Sequence, residues 1–363
     1  MRTWPRSRAS WPVRWRDADV PGPLREAERG ARAVLDPVHF DYLAGGAGEE
    51  RTLTDNEEAF ARRRVVPRVL RGPGATDLTT DLPGVRLAAP VVVAPTAFHR
   101  LAHPDGEAAT ARGVRAAGGL LTVSTMSTVA LEDVAATGAT TWFQLYVQPD
   151  RAFTAALVAR AEAAGCRALV VTVDSPVRGR HARDARHGFT DLPAGLVCEN
   201  LRDADGRVRE LVVDADLGWD AVAWLRTTTT LPVLVKGVLH PADARLAVEH
   251  GVDGVVVSNH GGRQLDGTVS SLDALPGVVA AVDGRVPVLL DGGVRRGVDV
   301  LVALATGADA VMVGRPVLWG LAQGGADGVR SVLTDLVDDL AHAMALAGAH
   351  RPRDLTPDLV TVP

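Results

Sequence analysis

Eight apolar runs set the limits on what this chain can fold into. They start near Val91, Leu120, Thr141, Ala168, Pro232, Gly254, Val286 and Asp309. A run such as Gly254-Val255-Val256-Val257 reads as a strand of a parallel sheet buried on both faces. Amphipathic, alanine-rich stretches separate most of the runs. Asp150 to Gly165 is predicted as a helix with Asp150 at the N-cap and Gly165 at the stop. Pro241 to Gly251 is predicted as another, with Pro241 in its first turn. Strand and helix alternating eight times is the pattern of an α/β fold, the (β/α)8 TIM barrel. An open doubly wound sheet is the competitor, but it rarely needs eight parallel strands. The length of 363 residues is ordinary for a barrel with added loops.

Three segments lie outside the alternation. Ahead of it, Pro23 to Asp36 is helical in pattern, and Pro37 begins a second helix. That helix carries Phe40, Tyr42 and Leu43 and ends at Gly45-Gly46, which predicts an N-terminal helical cap. After the fourth strand, the interval from Ala168 to Pro232 is far longer than its neighbours. Its excess, Arg183 to Leu217, is charged and poorly periodic, and predicts a mobile loop over the barrel mouth, a lid. After the eighth strand, Asp327 to Gly348 is predicted as a final amphipathic helix, and the remainder through Pro363 as a tail. Residues 1–22, with Trp4, Trp11 and Trp15 among arginines, are expected to form a disordered tail. Residues 23–363 are expected to form one domain.

Composition excludes several partners. The net charge is −5 and the pI about 6.1, which gives no reason to expect nucleic acid. Cys166 and Cys198 cannot make a disulfide framework and sit in no metal-ligand spacing. A reducing, cytoplasmic setting without a bound metal is therefore expected. No run of eighteen apolar residues predicts a transmembrane helix. Of 39 basic residues all but Lys236 are arginine. A single lysine suggests a site where a compact ammonium is wanted and a planar guanidinium does not fit.

The sixth run opens into Ser258-Asn259-His260-Gly261-Gly262-Arg263-Gln264-Leu265-Asp266-Gly267. An imidazole and a guanidinium three residues apart, with no bulky side chain between them, suit a substrate whose acid group adjoins the reacting carbon. The imidazole takes a proton near neutral pH, and the guanidinium holds a planar carboxylate. A lone histidine is more often a satisfied strand-end residue, so the whole decapeptide carries the argument. It resembles the active-site signature of the FMN-dependent 2-hydroxy acid oxidase and dehydrogenase family. Glycolate oxidase, lactate oxidase and mandelate dehydrogenase belong to that family. Phe40-Asp41-Tyr42-Leu43-Ala44-Gly45-Gly46-Ala47 resembles the family's N-terminal segment.

In a barrel of this class, active residues sit where strands end and loops begin. Those ends carry Pro95, Thr96 and Ala97, then Ser124, Gln144, Tyr146, Thr172, Asp174, Lys236 and Ser258. The seventh and eighth add Asp291, Gly292, Gly293, Arg295, Gly314 and Arg315. The set suits a flavin mononucleotide. The glycines and arginines after strands seven and eight suit its phosphate. Thr96, Ala97, Ser124, Gln144 and Thr172 suit its ring, and Lys236 suits a negative charge developing there.

The resemblance assigns roles residue by residue. It implies His260 as the base, Asp174 as the carboxylate orienting it, and Tyr146 and Tyr42 as the substrate tyrosines. It implies Arg263 on the substrate carboxylate, and Asp291, Arg295, Gly314 and Arg315 on ribityl and phosphate. It further implies a homotetramer. Two positions depart from the family pattern. His181 stands where relatives carry a substrate-pocket arginine, with Arg180 or Arg183 as possible substitutes. Met126 stands where glycolate-specific members carry tryptophan, which leaves room for a larger substrate. The expected activity is oxidation of an L-2-hydroxy acid with a medium or aromatic side chain, with dioxygen as acceptor. The alternatives are a dehydrogenase serving a quinone or carrier, or another flavin barrel such as an isomerase.

Overall fold

A computed structural model describes residues 23–71 and 76–362. The expected tail at residues 1–22 lies outside the described residues. Eight parallel strands close a barrel, each paired with its sequence neighbours. They are β1 (Val91–Val93), β2 (Leu120–Ser124), β3 (Thr140–Leu145) and β4 (Leu169–Thr172). Next come β5 (Val233–Val238), β6 (Gly254–Val257), β7 (Val288–Asp291) and β8 (Ala310–Val313). The ring closes where Met312 of β8 pairs with Val92 of β1. A helix follows every strand, so the (β/α)8 expectation holds.

Successive strand residues face opposite sides, so residues two apart share a face. The inner face is Val92, Leu120, Trp142, Val170, Leu234, Val256, Leu289 and Met312, one buried cluster. Two residues further along these strands the same face becomes polar: Gln144, Thr172, Lys236, Ser258 and Asp291, joined by Ser124 at the end of β2. The barrel is thus oily below and polar at the ends where the strands finish. Leu82 and Leu87, from an antiparallel hairpin ahead of β1, join the apolar cluster. The outer faces of the strands pack against the helices in a second, larger core.

Asp150 caps the helix Arg151–Ala163 by accepting from the Ala152 and Phe153 amides. Pro241 starts the helix Pro241–Glu249. The cap helices are Pro23–Val34 and Pro37–Ala44, the second capped by Asp36. A third, Arg51–Ala61, was not anticipated.

One expectation holds and one is corrected. After β8 a helix begins at Arg315 and breaks at Gly324 and Gly325, and the last helix runs from there to Ala347, close to the expected Asp327 to Gly348. The chain turns back at this glycine pair, since a Cβ on Gly320 would lie 2.5 Å from the Gly328 carbonyl oxygen. The terminal stretch is no loose tail, because Val360–Thr361 pairs antiparallel with Arg64–Val65. Among the described residues no helix is long and apolar enough to cross a membrane.

Candidate active site

The polar ends of the strands and the loop after β4 enclose a cavity of about 1340 Å³. Of the expected site residues only Asp174 and Ser258 do not line it, and both sit directly behind residues that do.

His260 leaves β6 in a left-handed conformation, φ +59°. Such a backbone strains a residue with a side chain and is kept only where its surroundings impose it. Here the Ser258 hydroxyl accepts the His260 amide at 3.0 Å. His260 Nδ1 lies 2.9 Å from Asp174 Oδ1. The carboxylate only accepts, so Nδ1 carries the hydrogen and Nε2 keeps a lone pair. Burial alone would raise the Asp174 pKa, but His260 and Lys236 overrule it and hold it below the usual carboxylate value. Gly237, at φ +112°, makes room for this pair, since a Cβ there would lie 2.5 Å from that of Asp174.

Lys236 Nζ bonds Asp291 Oδ2 at 2.8 Å and the Ser258 hydroxyl at 2.9 Å. Burial works against the ammonium, yet Asp291 and Asp174 raise its pKa. The expected cofactor contact Ser258 is fully buried and braces Lys236 and His260 instead. Gln144 accepts from the Ser124 hydroxyl at 3.1 Å and donates to that of Thr172 at 3.0 Å. These three side chains are locked to one another across β2, β3 and β4.

Arg263 lies over the Tyr42 ring, 5.0 Å from its centroid. Its Nη1 donates to the carbonyls of Tyr42 and Gly45, both at 2.8 Å. Among the described residues Nε and Nη2 make no hydrogen bond, and that edge suits a carboxylate. Tyr42 also packs on Phe98 and Phe189, and burial raises its pKa. Burial, then Asp174, raises that of Tyr146. Both phenols stay protonated and can donate.

His181 departs from its expected role as a free substrate contact. It lies on the cavity wall, but Nδ1 faces Asp184 Oδ2 at 2.9 Å and Nε2 faces the Arg263 carbonyl at 2.8 Å. Both nitrogens are spent on bracing. Neither proposed substitute reaches the cavity. Arg183 pairs with Glu50 at 2.6 Å and Asp41 at 3.3 Å, and Arg180 is exposed. Arg178 is the guanidinium of that segment on the wall. The expected lid is pinned at its start and again near its middle. Its short helix, Ala182–His187, pairs with the cap through Arg183 and His187. Further on, buried Asn200 donates to the Ser124 carbonyl at 2.9 Å.

The donor set fits FMN. Arg315 is half-buried beside Arg263 and Arg295, and desolvation first, then those neighbours, push its pKa down to about 9. Guanidiniums gathered this way favour an anion between them, as phosphate would be. Arg295 Nε and Asp291 Oδ1 are buried without a protein partner, a donor and an acceptor free for phosphate and ribityl groups.

Several residues that build the site gave no sequence signal of their own. Asn56, in the unanticipated helix, exchanges amide hydrogen bonds with Asn259 at 2.9 and 2.8 Å. Asp266 accepts the Glu49 and Thr52 amides at the start of that helix. Glu57 pairs with Arg295 at 3.0 Å. Asn259 and Asp266 lie in the decapeptide, whose polar residues thus serve packing as well as chemistry.

Comparison with known proteins agrees with this geometry. Residues 31–362 match the family described as FMN-dependent dehydrogenase. L-lactate oxidase of a Nostoc species is 46% identical over 350 residues, covering 92% of this chain and 96% of that protein. 4-Hydroxymandelate oxidase of Amycolatopsis orientalis is 48% identical over 341 residues, covering 90% and 94%. A crystal structure of mandelate oxidase with (S)-2-phenylpropionate superposes with a TM-score of 0.86 at 47% identity, covering 92% of this chain and 96% of the other. The match spans the barrel, the cap and the loop after β4, and on it the chain belongs to the FMN-dependent dehydrogenase family.

Proposed function

We propose that this enzyme oxidises an L-2-hydroxy acid with a medium or aromatic side chain to the 2-oxo acid, with dioxygen as the final acceptor. The observation that carries the chemistry is the His260–Asp174 pair, held at 2.9 Å beside the cavity that Lys236 also lines. FMN, held by Arg295, Arg315, Asp291, Lys236 and the Ser124–Gln144–Thr172 set, supplies the two-electron acceptor.

The chain's own residues do the rest. The free edge of Arg263 and the Tyr42 hydroxyl hold the substrate carboxylate. Tyr146 donates to the substrate oxygen. His260 takes a proton at Nε2 as the substrate loses two electrons, and Asp174 stabilises the imidazolium that results. The side chain of the substrate meets an apolar wall of Met126, Phe98, Phe189, Leu192 and Leu196. That wall supports a medium or aromatic substrate, as do relatives named for mandelate and 4-hydroxymandelate. We further propose a homotetramer in a cytoplasmic setting, on the family resemblance and the two free cysteines.

The test is anaerobic addition of glycolate, lactate and mandelate in turn, followed by air. Flavin absorbance should bleach fastest with mandelate and return on re-aeration. Bleaching by glycolate alone would refute the substrate class, and no return in air would refute the acceptor.

A further inference from the structure

His99 is 2% exposed behind β1, and nothing above gives it a role. Its Nε2 lies 2.6 Å from Thr96 Oγ1 and its Nδ1 2.8 Å from Thr110 Oγ1. Burial lowers the pKa of the ring despite nearby Glu107, so it is neutral and carries one hydrogen. The buried Glu107 carboxylate accepts the His99 amide at 3.0 Å and fixes its backbone.

The network decides which nitrogen carries the hydrogen. Thr110 donates its hydroxyl to the Gly106 carbonyl at 3.4 Å, so its oxygen is left to accept. His99 Nδ1 then donates to Thr110, Nε2 is bare, and the Thr96 hydroxyl donates to Nε2. Thr96 lines the cavity in the part assigned to the flavin ring. Its oxygen therefore offers that side only lone pairs.

We propose that His99 is a positioning residue that fixes Thr96 as a hydrogen-bond acceptor toward bound FMN and so favours the reduced cofactor. A flavin that takes up two electrons and a proton gains an N–H on its ring, where the oxidised ring has a lone pair. An acceptor beside it stabilises the reduced state, and a donor stabilises the oxidised one. The inference rests on FMN lying in this cavity.

The experiment is the midpoint potential of the FMN-loaded protein, measured against a reference dye. Thr96→Val and His99→Leu should each shift the equilibrium about tenfold toward oxidised flavin, about 30 mV more negative for a two-electron couple. The double variant should shift no further, and Thr96→Ser should keep the original potential. Unchanged or more positive potentials in variants that retain flavin would overturn the proposal. If His99→Leu does not fold, Thr96→Val against Thr96→Ser decides alone, by the same outcomes. A wild-type protein that binds no FMN would instead overturn the cofactor assignment on which the proposal stands.

Discussion

Lys236 Nζ lies 2.8 Å from Asp291 Oδ2, with the two side chains 5% and 8% exposed. A buried pair is strongly destabilised when one partner is removed, because the other charge is left without compensation. Lys236→Met should therefore cost about 3–5 kcal/mol, read from urea unfolding. Lys236→Arg keeps the charge but brings a planar group into a space closed by Ser258 and Asp291. It should hold FMN less tightly or reduce it more slowly. An unaltered Lys236→Arg enzyme would mean that the single lysine is a compositional accident.

Acid should expose the role of Asp174. Its folded pKa is depressed, so its charge contributes stability above the unfolded value, about 3.9, and loses it as pH falls through the folded value. Asp174→Asn removes that contribution. The stability gap between wild type and variant should be wide near neutral pH and should narrow below about pH 4. Urea midpoints over that range provide the check. A gap that stays constant into strong acid contradicts the ion pair.

Met126 lines the cavity, and in the proposed function it sets the size of the substrate wall. Filling the space with an indole should cost an aromatic substrate more than a small one, with each misplaced methylene worth about 1–3 kcal/mol. Met126→Trp should lower kcat/KM for mandelate and spare glycolate. A wild-type preference for glycolate, unaltered in Met126→Trp, would sink this reading.

The barrel was legible because a buried parallel strand announces itself locally, and the period of two carries the inner face from Val256 to Ser258 and from Leu289 to Asp291. Side-chain partners far apart in sequence were not legible. Nothing local in Asn56 tells that it pairs with Asn259. His181 looked like a substrate contact because its position, and not its hydrogen-bond partners, could be read; the partners are Asp184 and a carbonyl across the cavity wall.

The central claim is that His260, oriented by Asp174, takes the substrate's proton. The most direct measurement is anaerobic single-turnover flavin reduction in His260→Ala, followed by absorbance. The account predicts that FMN stays bound while reduction by mandelate slows by about 10²–10⁴, the loss expected for a general base. Reduction at the wild-type rate would contradict it.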